Sequence, residues 1–161
     1  MSASVVDPPD VLRWSTRSGD HGDCVVAALE LACGVSYEQA LQAATRACPT
    51  VLTDGMTWPE TRRAAKILGC RVRVRRAGRY DVDEATGILH VYQSGGVRGW
   101  SKRGAKTSHA VYLWEGRIVE PKSDRRQLWR HPEQFLKHYG YRAGSLLILE
   151  RIGDNDPETE V

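Results

Sequence analysis

From Asp23 the apolar residues Val25, Val26, Ala28, Leu29 and Ala32 recur at helical spacing. The spacing predicts a helix that Asp23 caps and Gly34 ends. Ser36-Tyr37-Glu38-Gln39 reads as a capping box that opens a second helix over 37–47, stopped by Pro49. Thr53-Asp54-Gly55-Met56 reads as a turn. A second capping box, Thr57-Trp58-Pro59-Glu60, places Pro59 in the first turn of a third helix that ends at Gly69.

After Gly69 the period changes from helical to alternating. CRVRVRR (70–76) reads as a strand with one solvated arginine face, and GILHVYQ (87–93) as a second. SHAVYLW (108–114) and RIVEP (117–121) flank Glu115-Gly116 and make a hairpin candidate. HPEQFLKHYG (131–140) predicts a short helix closed by Gly140, and SLLILERI (145–152) a last strand. Three helices followed by about five strands and one late helix predict an α+β fold with an antiparallel sheet.

The 161 residues suffice for one domain with a real core. We expect a flexible arm over 1–12, which contains Asp-Pro-Pro-Asp, a single domain over 13–152, and a disordered acidic tail over 153–161. A hydrophobic fraction of 41%, a net charge of +3 and a pI near 8.7 fit an ordinary globular protein. That charge is too small to imply nucleic acid. Arg71, Arg73, Arg75, Arg76 and Arg79, with Lys102, Arg103 and Lys106, read as a solvated strand face and a Gly-rich loop, since no nucleic-acid motif accompanies them. The same cations suit an acidic peptide or partner. No apolar run reaches membrane-spanning length and the start lacks a signal pattern, so a cytoplasmic protein with no membrane partner is expected.

The four cysteines, Cys24, Cys33, Cys48 and Cys70, match neither a zinc pattern nor a C-x-x-C redox pair. No metal and no cofactor are therefore expected. Cys33, Cys48 and Cys70 fall at helix ends and a strand start, addresses typical of small buried residues. Cys24 lies in the first turn of a helix, where free N–H groups and the dipole favour a thiolate and can receive an oxyanion.

A nucleophilic thiol needs a base. Of five histidines, His109 opens a strand of the hairpin. With a two-residue loop, Leu113 faces Ile118, Tyr112 faces Val119 and Val111 faces Glu120. His109 and Glu120 then become diagonal neighbours on one face, within about 8 Å, which makes a base with an orienting acid. A type I turn with a glycine bulge is the alternative, and it shifts the register by one and turns Glu120 away. Trp58 and Trp100 are candidates to line a substrate cleft, against the simpler role of packing.

The order of cysteine at a helix start, histidine at a strand start and acid late in the next strand resembles papain-like cysteine peptidases. More narrowly, GDCVVAALELACGVSYEQAL, His109-Ala110-Val111, Gly116 to Pro121 and PEQFLKHYGYRAGSLLIL are similar to small phage and bacterial relatives of the double-glycine leader peptidases that process bacteriocins. The resemblance covers roughly residues 18–150. It implies a papain-like fold, Cys24 as nucleophile, His109 as general base, Glu120 as orienting acid, and a peptide or protein substrate. The family's third member is usually Asp or Asn, and Glu is one methylene longer. The family also carries a Gln about six residues before the cysteine; Ser18 stands there, and Ser18 and His21 are the oxyanion-donor candidates. These departures bear on turnover: a silent papain-like binding module, or a deamidase or acyltransferase using the same residues, are the alternatives.

Overall fold

The computed structural model describes residues 5–6, 23–93, 108–121 and 126–152. In chain order the elements are β1 (Val5–Val6), α1 (Asp23–Cys33), α2 (Tyr37–Ala47), α3 (Val51–Asp54), α4 (Trp58–Ile67), β2 (Cys70–Arg75), β3 (Gly87–Gln93), β4 (Ser108–Trp114), β5 (Arg117–Pro121), β6 (Arg126–Trp129), α5 (Pro132–Tyr139) and β7 (Tyr141–Arg151). Four helices gather toward the N-terminus and an antiparallel sheet follows, so the class is α+β.

Both capping boxes form. Ser36 Oγ accepts from the Gln39 N–H at 3.1 Å while the Ser36 N–H donates to Gln39 Oε1 at 3.0 Å. Thr57 and Glu60 make the same exchange at 3.4 and 2.9 Å. Each box satisfies two otherwise orphaned donors and so fixes where α2 and α4 begin. Asp23 is the first helical residue of α1 rather than a residue before it. The segment read as a turn, Thr53 to Met56, instead overlaps a one-turn helix, α3, that ends at Gly55 with φ 75°.

The sheet order is β1-β6-β5-β4-β3-β7-β2, and each of these neighbouring pairs is antiparallel. Alternation along the strands divides the core into two layers. Ile88, Ala110 and Leu147 pack with α1, α2 and α4 on one face. Leu89, Val91, Val111, Leu113, Ile118 and Leu146 pack with Phe135 of α5 on the other. Two strands were not visible in the sequence pattern: β6, and β1, whose Val5 and Val6 pair with Trp129 and Leu128 although they fall in the segment expected to be a loose arm. β7 starts at Tyr141, four residues before the expected strand, and a register shift between Leu89 and Val91 marks a bulge in its pairing with β3.

The β4–β5 turn carries positive φ at both central residues, 46° at Glu115 and 78° at Gly116, which suits a tight two-residue hairpin loop. The Gly116 N–H donates to the Ala85 carbonyl at 3.0 Å, so the hairpin tip rests on the turn before β3. A Cβ at Gly116 would lie 1.9 Å from the Asp83 carbonyl oxygen. Gly116→Ala is therefore expected to cost at least about 1–2 kcal/mol from the left-handed backbone alone, and more from the collision. Urea unfolding checks this, and an unchanged midpoint would mean that the tip relaxes freely away from Asp83.

Among the described residues no single helix is long and apolar enough to cross a membrane.

Candidate functional site

Cys24 is the second residue of α1, and the residues after it, Val25 to Leu29, are all buried. The helix thus runs through the core from its first turn on. Of the four cysteines, Cys24 alone is not buried. Cys48 donates to the Gly55 carbonyl at 3.6 Å. Cys33 and Cys70 hydrogen-bond each other, and that bond, with burial, pushes the Cys33 thiol up. Exposure and position in a first turn therefore coincide only at Cys24.

The hairpin has the tight-turn register: Trp114 pairs with Arg117, Leu113 with Ile118 and Tyr112 with Val119. The bulged alternative is not formed. Counting on from Ile118, Glu120 shares the face of Val111 and His109. Glu120 is 6% exposed, and its Oε2 accepts a hydrogen bond of 2.9 Å from the Trp129 indole N–H. One buried carboxylate oxygen is thereby tied to the neighbouring strand, which restricts how the group can turn.

His109 is the second residue of β4, opposite Val91, and half-buried. Its ring stacks on Tyr141, centroids 6.2 Å apart and planes at 25°. Tyr141 opens β7 opposite Gln93, the last residue of β3. Antiparallel pairing therefore brings the end of β3, the start of β4, the end of β5 and the start of β7 to one end of the sheet. Burial raises the pKa of the Tyr141 phenol; the negative charges of Glu120 and Cys24, and then Tyr139, raise it further. Glu120 and, after it, Cys24 thus act on the same phenol whose ring stacks on His109.

His90 lies one strand away, opposite Ala110, and is 2% exposed. Burial first, and then the charge of His109, lowers its pKa to about 4. A histidine whose folded pKa lies below its unfolded value near 6.5 contributes stability above that value, and the contribution is lost as pH falls toward about 4. The fold is expected to lose about 2 kcal/mol between about pH 7 and about pH 5 through this group. Urea unfolding across that range checks it, and His90→Gln should flatten the profile; an equally steep profile in the variant would assign the loss elsewhere.

Trp58 begins α4 and lines a hollow with Arg62, Lys66 and Arg76 that includes none of Cys24, His109 and Glu120. Ser18, His21 and Trp100 lie outside the described residues. Two residues join the site that the sequence did not single out for it. Trp129 holds Glu120, and the signal is its diagonal position across the β5–β6 ladder, where Ile118 pairs with Trp129 and Glu120 with Gln127. Tyr141 carries only the weak signal of coming directly after the helix-ending Gly140. Among the described residues no group of three or more His, Cys, Asp or Glu side chains is placed to hold a metal ion.

No protein-family model matches the chain, and no curated protein matches it.

Proposed function

We propose that the protein is a thiol-dependent hydrolase of the papain-like type, with Cys24 as nucleophile, His109 as general base and acid, and Glu120 as the orienting carboxylate. The observation that carries this reading is the stacking of His109 on Tyr141 on the sheet face that also bears Glu120, and the charges of Glu120 and Cys24 both raise the pKa of that phenol. The exposure of Cys24 and the seating of Glu120 on Trp129 support it.

In this mechanism the Cys24 thiolate attacks the carbonyl carbon of a peptide or isopeptide bond. The first-turn N–H groups of α1 face the oxyanion. His109 gives its proton to the departing amine as the C–N bond breaks, leaving a thioester on Cys24. Water, deprotonated by His109, attacks the thioester; the acid leaves and the thiol is restored. Glu120 keeps the imidazole oriented and stabilises its charged form. Alternation places His109 on the α5 face while α1 packs on the opposite one, so the ring must approach Cys24 around the end of β4 rather than across the sheet.

Iodoacetamide alkylation across pH, with peptide mapping of the modified thiol, tests the assignment. Cys24 is expected to react near pH 6 about 100-fold faster than in His109→Ala, the ratio set by moving the thiol from a paired thiolate back toward an ordinary pKa of about 8.5. Slow reaction of Cys24 with the ordinary thiol pH dependence in both proteins would instead support a silent binding module.

A further inference from the structure

The face of α4 that looks away from the core forms a groove with β2, separate from the thiol site. Trp58, Arg62, Arg63, Lys66, Val74 and Arg76 line most of a hollow of about 530 Å³, and among the described residues no carboxylate lines it. Trp58 is half-buried and Val74 is 42% exposed, so the groove combines apolar surface with four exposed cations. Nearby acids are engaged elsewhere: Glu60 accepts from the Thr57 N–H at 2.9 Å, and Glu150 pairs with Arg71 and Arg73 at 3.3 and 3.0 Å. β2 is also one of the sheet's two edge strands, and among the described residues its only ladder partner is β7. Cationic rim, apolar surface and adjacent strand edge together suit an acidic peptide segment with some apolar residues.

The chain itself carries such a segment and delivers it to this place. The Ile152 N–H donates to the Gly69 carbonyl at 2.9 Å, in the turn that joins α4 to β2. Beyond Ile152 the chain continues as Gly153-Asp154-Asn155-Asp156-Pro157-Glu158-Thr159-Glu160-Val161, with four acidic residues and no basic one. Nine residues reach up to about 30 Å, whereas the ten-residue α4 is about 15 Å long. The reach from Gly69 along the whole groove is therefore sufficient.

We propose that residues 153–161 occupy the groove between α4 and β2, with Asp154, Asp156, Glu158 and Glu160 set against Arg62, Arg63, Lys66 and Arg76. The groove is then an acidic-peptide site filled in cis, and an outside ligand must displace the chain's own segment.

The test compares the full chain with a chain ending at Ile152, using a fluorescein-labelled synthetic peptide of sequence GDNDPETEV and fluorescence anisotropy. The shortened chain should bind the peptide, and the full chain at least about tenfold more weakly, because a short tether supplies an effective concentration of about millimolar. Arg62→Glu with Arg76→Glu in the shortened chain should weaken binding at least about tenfold, and added salt should weaken it further. Both arginines are exposed, so an unchanged melting midpoint would verify that the variant folds. Equal binding by the full and shortened chains, or none by the shortened chain, would overturn the proposal. So would tighter binding of a single-stranded oligonucleotide than of the peptide, which would assign the groove to polyphosphate. A full chain that sediments as a dimer while the shortened chain is a monomer would assign the segment to a second copy and overturn occupancy in cis.

Discussion

The unmodified protein is expected to release a burst of p-nitrophenolate from p-nitrophenyl acetate and Cys24→Ala to abolish it, lowering the acylation rate by about 10⁴-fold or more, the scale seen when a covalent nucleophile is removed. The ester needs no recognised side chain, so the measurement isolates the thiol from the unknown substrate. Sulfur bonds to the acetyl carbon, p-nitrophenolate leaves, and a thioester remains that peptide mapping locates. Cys33, Cys48 and Cys70 are 3%, 2% and 1% exposed and cannot substitute for Cys24 while the protein is folded. His109→Ala should retain acylation at alkaline pH, where a thiol ionises unaided, and lose it near neutrality. That split separates the base from the nucleophile. A burst that survives in Cys24→Ala, with the thioester mapped to another cysteine, would remove Cys24 from the chemistry.

The parts of this site that the sequence shows are those set by local rules. Helix starts at Ser36 and Thr57 come from side chains three residues apart, and both boxes form at those residues. The first-turn position of Cys24 depends on one helix boundary. The facing of His109 and Glu120 depends only on the length of one turn, and Glu115-Gly116 fixes it. The pieces that were missed depend on long-range pairing. β1 has two residues and β6 four, too few for alternation to register, and each is a strand only because a neighbour supplies its ladder. The early start of β7 escapes notice because Arg142 and Gly144 break the apolar run there, and its pairing with β3 extends the strand back to Tyr141. Tyr141 comes to stack on His109 because β7 inserts between β3 and β2. Nothing near residue 141 encodes that order. Trp129 reaches Glu120 for a related reason: the β5–β6 register sets a diagonal that becomes readable only once β6 is known to be a strand.

The same long-range construction makes Phe135 the side chain whose loss should do most damage to the fold. It is 0% exposed and meets three aromatic rings: Trp129 at 5.7 Å and 73°, Tyr139 at 5.2 Å and 63°, and Tyr141 at 5.9 Å and 32°. Two of those partners touch the candidate site residues, Trp129 by holding Glu120 and Tyr141 by stacking on His109. Phe135→Ala removes a buried ring and leaves a cavity beneath both, at an expected cost of about 3–5 kcal/mol. That is a large share of the roughly 5–15 kcal/mol that stabilises a domain. The melting midpoint should fall by about 10 °C or more. Phe135→Leu keeps most of the volume and should cost about 1 kcal/mol, so the pair of variants separates cavity formation from loss of the aromatic edge contacts. If the site depends on this packing, alkylation of Cys24 near pH 6 should slow in Phe135→Ala at temperatures where circular dichroism shows it folded, and recover most of its rate in Phe135→Leu. A Phe135→Ala midpoint within about 3 °C of the unmodified protein would show that the aromatic cluster collapses around the gap, and Phe135 would then not be what keeps Trp129 and Tyr141 in place.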